Sequence, residues 1–203
     1  KTWGTGLVKL YEALAMDFLY PNPHNITIFP DNHDMPRFYL QVGMNRDLFH
    51  LGIAYILTMR GIPQIYYGTG ILMDHTEGDG HGYIRKDFPG GWDGDERNAF
   101  TGENMSPEAL ETQEMFRRIL NWRKKKEVIH NGDVLHFAPA NKVYVYFRHN
   151  EDDRVMVIIN KNTEDYTLVL DRFEEILNGS SGGREIISGN TMDMSRGKLD
   201  LKP

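Results

Sequence analysis

The apolar residues of this chain change period once, near Glu127, and that change limits the fold more than any other feature. Before it, stretches at helical spacing alternate with short continuous apolar runs. Leu7, Tyr11, Leu14 and Phe18 recur at helical spacing, so residues 6–20 are expected to form an amphipathic helix stopped by Pro21 and Pro23. Residues 26–29 read as a short buried strand. Residues 47–59 read as a helix with Phe49, Ile53, Ile56 and Leu57 on one face, closed by Gly61, and residues 62–67 as a second buried strand. Helix, strand, helix, strand in that order implies a parallel sheet. Ser106 and Pro107 open a further helix running to about residue 126, whose basic run 123–126 suits the negative end of the helix dipole.

After Glu127 the segments become short and rich in β-branched and aromatic residues. Residues 134–137, 143–148, 154–160 and 166–170 are the clear strands, with weaker candidates at 184–187 and 198–201. Turn signals separate them, which is the pattern of an antiparallel β-sandwich. The expected domains are therefore residues 1–127, of α/β type, and residues 128–203, all-β.

The chemistry-bearing stretch is 29–37, Phe-Pro-Asp-Asn-His-Asp-Met-Pro-Arg. Polar groups packed just past the carboxyl end of a buried strand are how α/β barrels build sites. Asp34 is the leading candidate and His33 its neighbour, with Pro30 and Pro36 restricting the backbone around them. The competing reading makes Asp31, Asn32 and Asp34 caps and turn residues. Arg37 can hold a ligand hydroxyl, orient Asp34 or form a structural ion pair. Tyr66 and Tyr67 should alternate on their strand, one toward the barrel mouth and one toward the helices, with core packing the default role for both. Residues 68–101 form a long Gly-rich loop, in which Asp87 and Trp92 are candidates for ligand contact, Asp87 more simply a turn residue and Trp92 able to stack on a sugar or cap the sandwich. Residues 74–81, Asp-His-Thr-Glu-Gly-Asp-Gly-His, match neither an EF-hand loop nor a zinc helix. Hydrated loop residues are the preferred reading of that run, with calcium the lesser alternative, and no metal ligand is assigned. His50 and His130 read as surface or interface residues.

Charge narrows the partners. With 23 basic and 29 acidic residues the net charge is −6, which argues against nucleic acid and anionic membrane surfaces. No apolar run reaches the length of a membrane span. The absence of cysteine excludes disulfides and thiolate metal sites but fits any compartment.

Three blocks carry a resemblance to a known family. Phe29-Pro-Asp-Asn-His-Asp is similar to the fourth signature region of the α-amylase family of glycoside hydrolases, after the seventh barrel strand. Gly61-Ile-Pro-Gln-Ile-Tyr-Tyr-Gly resembles the eighth strand. Arg85-Lys-Asp-Phe-Pro-Gly-Gly-Trp resembles a loop of the cyclomaltodextrinase and neopullulanase branch. The resemblance implies the C-terminal part of a (β/α)8 TIM barrel, strands 7 and 8 with flanking helices, followed by a β-sandwich. It implies retaining cleavage of α-1,4-glucans such as maltooligosaccharides, cyclodextrins, starch or pullulan. Asp34 then matches the third, transition-state-stabilising carboxylate, His33 a sugar-contacting histidine, and Arg37, Asp87, Trp92 and Tyr67 become candidate substrate contacts. The family's nucleophile and acid follow earlier strands, so this chain alone is expected to be inactive, and Gly70 stands where many relatives carry an acidic residue. No cofactor is expected, with calcium an option held for the full-length parent. The expected partners are an α-glucan and either the remainder of the parent or a second copy. A periplasmic or secreted location is expected, cytoplasmic being the alternative. The alternative function is a non-catalytic carbohydrate-binding or assembly module.

Overall fold

A computed structural model describes residues 6–203. The chain divides into two compact units, one spanning Asn22–Asn131 and the other combining the described residues up to Pro21 with Gly132–Pro203.

In the first unit β1 (Thr27–Ile28) leads through α2 (Phe38–Gln41) and α3 (Arg46–Thr58) to β2 (Ile62–Pro63). β1 and β2 pair in parallel, Thr27 opposite Ile62 and Ile28 opposite Pro63. The Ile62 and Gln64 amides each donate a 2.9 Å hydrogen bond, to the Ile26 and Ile28 carbonyls. The expected parallel arrangement is present, but the strands are shorter than residues 26–29 and 62–67 and are not buried. Phe29 and Ile62 are exposed. A sheet of two strands cannot cover its own faces, so its apolar side chains meet solvent. Gly61 enters β2 at φ 106°, and a Cβ there would stand 2.6 Å from the Ile26 carbonyl oxygen, so only glycine lets the strands approach.

α3 starts where the Asn45 side chain accepts from the Leu48 amide, as an N-cap should. It buries Phe49, Ile53 and Leu57 against Met115, Phe116 and Ile119 of α5 (Pro107–Arg123), with α4 (His81–Ile84) between them in sequence. The Ser106 Oγ accepts from the Ala109 amide at 3.2 Å and Pro107 occupies the first turn, as the sequence indicates. Arg123 departs from expectation: it is buried and its Nη1 donates 2.7 Å to the Leu57 carbonyl near the end of α3. It thus satisfies another helix's terminal carbonyl rather than its own, and burial pulls its pKa down. A short helix, α6 (Glu127–Asn131), follows at the expected domain boundary. His50 also departs from a surface role, being half-buried with Nε2 2.9 Å from the Thr112 hydroxyl.

The second unit is β-rich and antiparallel. β3 (Asp133–Ala140), β4 (Val143–His149) and β5 (Arg154–Asn160) form a three-stranded sheet. β6 (Tyr166–Val169) is followed by α7 (Glu174–Leu177), β7 (Gly182–Arg184), β8 (Thr191–Asp193) and β9 (Lys198–Leu201), with β6 pairing β9 and β7 pairing β8. Val143, Val145 and Phe147 of β4 face Leu168, Leu199 and Phe173 in one core, while Tyr144, Tyr146 and Arg148 on the other face are also buried. Strand β8 escapes a sequence reading because Thr191–Asp193 is too short to show a period. α1 (Leu7–Ala15) belongs to this unit, with the Tyr11 ring 4.7 Å from that of His136. The grouping differs from the sequence division at residues 127 and 128, which places α1 with the α/β part. The helix also ends at Ala15, and residues 17–19 form a 3₁₀ turn, leaving Phe18 exposed rather than on the buried face.

Candidate active site

Chain geometry puts Asp34 in the open. The segment leaving β1 turns at Asn32, whose side-chain oxygen accepts from the Asp34 amide at 2.8 Å. The Asp34 side chain is 58% exposed. Its Oδ1 accepts from Arg85 Nη2 at 2.8 Å and lies 3.6 Å from His81 Nδ1, while its Oδ2 lies 3.2 Å from His33 Nε2. Both carboxylate oxygens therefore face cationic or potentially cationic groups. A carboxylate has about four lone-pair sites, so acceptor capacity remains for a ligand hydroxyl.

Asp31 does the capping that the sequence allowed to either aspartate. It is fully buried, its Oδ2 accepts from the Phe38 amide at 2.9 Å, and both oxygens face the Thr69 hydroxyl at 3.1 and 3.2 Å. Desolvation pushes its pKa up, against the pull of the Phe38 amide, Thr69 and Arg37.

Arg37 is fully buried, so neither a ligand hydroxyl nor Asp34 is its partner in this arrangement. Its Nε and Nη2 donate to the Ile84 carbonyl at 3.1 and 2.7 Å, and Nη1 donates to the Tyr67 carbonyl. The guanidinium carbon sits 4.3 Å from the Tyr66 ring centre and 4.7 Å from that of Tyr67. Two main-chain carbonyls and two aromatic faces fix it there. The tyrosines do not alternate as expected. β2 ends at Pro63, the chain turns at Gly68 with φ 77°, and the two rings converge with centres 4.5 Å apart. Burial raises the Tyr66 pKa, reinforced by its bond to Tyr67. The Tyr67 hydroxyl donates 2.8 Å to the Lys86 carbonyl, so Asp34 and Tyr67 are tied to adjacent residues, 85 and 86.

The remaining candidates lie farther along the loop. Asp87 is exposed and lines a cavity of about 430 Å³ with Asp74, Lys86, Asp95 and Arg97, a lining that includes neither Asp34 nor Trp92. Trp92 is 68% exposed on a turn closed by the Asp95 carboxylate, which accepts from the Gly90 and Trp92 amides. In the run 74–81, Asp74 accepts from the Thr76 amide and hydroxyl, and Lys86 pairs with Glu77 at 2.8 Å. Among the described residues no group of three metal-ligating side chains forms, and no helix is long and apolar enough to cross a membrane. Arg85 and His81 are the site residues that sequence reasoning did not assign to Asp34. Arg85 stood in the Arg85-Lys-Asp-Phe-Pro block and His81 at the end of the run 74–81, and neither segment reveals contact with residues some fifty positions earlier.

The chain is similar to known proteins in sequence and in fold. Residues 134–203 match the cyclo-malto-dextrinase C-terminal domain. The chain is 31% identical over 157 residues to a cyclomaltodextrin glucanotransferase of Thermoanaerobacterium thermosulfurigenes, covering 77% of this chain and 19% of that protein. It is 26% identical over 212 residues to a maltogenic α-amylase of Bacillus acidopullulyticus, covering 94% of this chain and 33% of that one. The crystal structure of an α-amylase from Geobacillus thermoleovorans complexed with acarbose superposes with a TM-score of 0.73 at 22% identity, over 95% of this chain and 40% of that one. AmyP in complex with maltose gives 0.74 at 16% identity, over 96% and 42%. The chain thus spans a third or less of the length of these two curated relatives. The chain is thus a homologue of cyclomaltodextrin glucanotransferases and α-amylases, and residues 134–203 match the cyclo-malto-dextrinase C-terminal domain.

Proposed function

We propose that this chain is part of a retaining glycoside hydrolase acting on α-1,4-glucans, in which Asp34 is the third, transition-state-stabilising carboxylate. The observation that carries the reading is Asp34 itself: exposed past the end of β1, oriented through both oxygens, and still able to accept from sugar hydroxyls. An oxocarbenium-like state distorts the ring, and hydroxyl contacts that tighten on distortion lower the barrier. His33, beside it, contacts the same sugar. Tyr67, Trp92 and Asp87 are outer contacts, and Arg37 acts on substrate only by holding the Tyr66–Tyr67 platform. β1 and β2 are the seventh and eighth strands of a (β/α)8 barrel within residues 1–127, and residues 128–203 are the sandwich domain. The parallel β1–β2 pair with its helical crossover supports this. The exposed Phe29 and Ile62 suit cover by the rest of the parent or a second copy. The nucleophile and acid come from outside this chain, no cofactor takes part, and the parent works in the periplasm or outside the cell. Asp34→Asn in the longer enzyme is the test: a folded variant with near-normal turnover of maltooligosaccharides would falsify the assignment.

A cavity of about 400 Å³ in the β unit, lined by Phe137, Asn141, Tyr166 and Arg172 among others, favours a second reading as a carbohydrate-binding module. Calorimetry of the chain with maltoheptaose separates the two. Heat abolished by Tyr166→Ala and untouched by Asp34→Asn supports the module.

A further inference from the structure

The segments 31–37 and 81–86 hold each other reciprocally. Arg37 of the first donates twice to the Ile84 carbonyl of the second, at 3.1 and 2.7 Å. Arg85 of the second donates through Nε to the His33 carbonyl at 3.1 Å and through Nη2 to Asp34 Oδ1 at 2.8 Å. One guanidinium thus fixes both the main chain beside Asp34 and the carboxylate itself. Adjacent Ile84 is buried and pinned by a buried arginine, so Arg85 is presented from an anchored base.

We infer that Arg85 is the positioning residue of Asp34, setting the orientation in which the carboxylate meets a substrate. The inference rests on the reading of Asp34 given above. A lone surface ion pair contributes little to stability, but two donors in a rigid fork constrain direction. Orientation matters more than energy here, because a misplacement of about 1 Å at a reacting centre can cost about a hundredfold in rate. Arg85 acts through Asp34.

Two experiments test this. In the 203-residue chain, NMR of the Arg85 Nε–H group should show a resonance that moves on Asp34→Asn, and an unmoved resonance overturns the contact whatever the catalytic role. In the longer enzyme, with maltoheptaose, Arg85→Ala should lower kcat about a hundredfold with KM nearly unchanged. Arg85→Lys should fall between, and added guanidinium should partly restore the alanine variant. The Arg85→Ala, Asp34→Asn double variant should be no slower than Asp34→Asn alone. A raised KM with intact kcat, or additive losses, overturns the positioning role. Near-normal turnover of Asp34→Asn overturns the reading of Asp34 instead. If Arg85→Ala does not fold, Arg85→Gln carries the same comparison.

Discussion

Arg37 is joined to Tyr67 twice: its Nη1 donates to the Tyr67 carbonyl, and its guanidinium lies 4.7 Å from the centre of the Tyr67 ring. With Ile84 as its other acceptor, this buried cation joins the start of α2, the turn after β2 and helix α4. Arg37→Met should cost roughly 2–6 kcal/mol, since two carbonyls lose their donor at about 1–3 kcal/mol each. Arg37→Lys should recover little, because a point charge cannot reproduce the fork. Urea unfolding of each variant, read as a change in midpoint at constant slope, measures this.

Asp31 makes the stability pH-dependent. Burial raises its folded pKa above the ordinary 3.8, so the folded state holds this proton more tightly than the unfolded chain. The associated stability is present below 3.8 and declines as pH rises through the folded value. Asp31→Asn keeps an acceptor for the Phe38 amide and cannot ionise. Its stability relative to the parent should therefore improve as pH is raised from below 3.8, then level off, as followed by thermal melts across that range.

His136 and His50 act in the opposite direction. Desolvation lowers both pKa values below the ordinary 6.5, opposed at His136 by Asp17 and at His50 by Asp47 and Glu111. The unfolded chain then binds protons first, so stability is full above 6.5 and falls as pH drops below it. His136→Gln should flatten part of that fall, and His50→Gln another part. Denaturant midpoints at pH values on either side of 6.5 provide the check.

Gly61 should tolerate no side chain. Its φ of 106° strains any L residue, and a Cβ meets the Ile26 carbonyl oxygen. Gly61→Ala should destabilise the Asn22–Asn131 unit by about 1–3 kcal/mol, seen as accelerated hydrogen exchange at the Ile62 and Gln64 amides.

Much of the fold was legible because periodicity reports which face of an element meets a core. That is why α5 begins at its Ser106 cap, and why β4 to β6 fall within a residue or so of their expected bounds. Asp34 was legible because the polar cluster at 31–34 comes just past an apolar run and resembles a known signature region. Tertiary structure decided the rest. Asp31 and Asp34 stand three residues apart in one polar cluster, yet one is sealed on Thr69 and the other open beside Arg85. Arg37 reads as a ligand-holding or ion-pairing residue and Arg123 as a helix-end cation, yet both are buried and donate to main-chain carbonyls of distant segments. By itself the sequence determined the order of helices and strands and the chemical types gathered after β1. Only the folded chain decided which aspartate is exposed and which arginine holds it, because those contacts join residues 30 to 66 positions apart, whose meeting depends on packing rather than local preference.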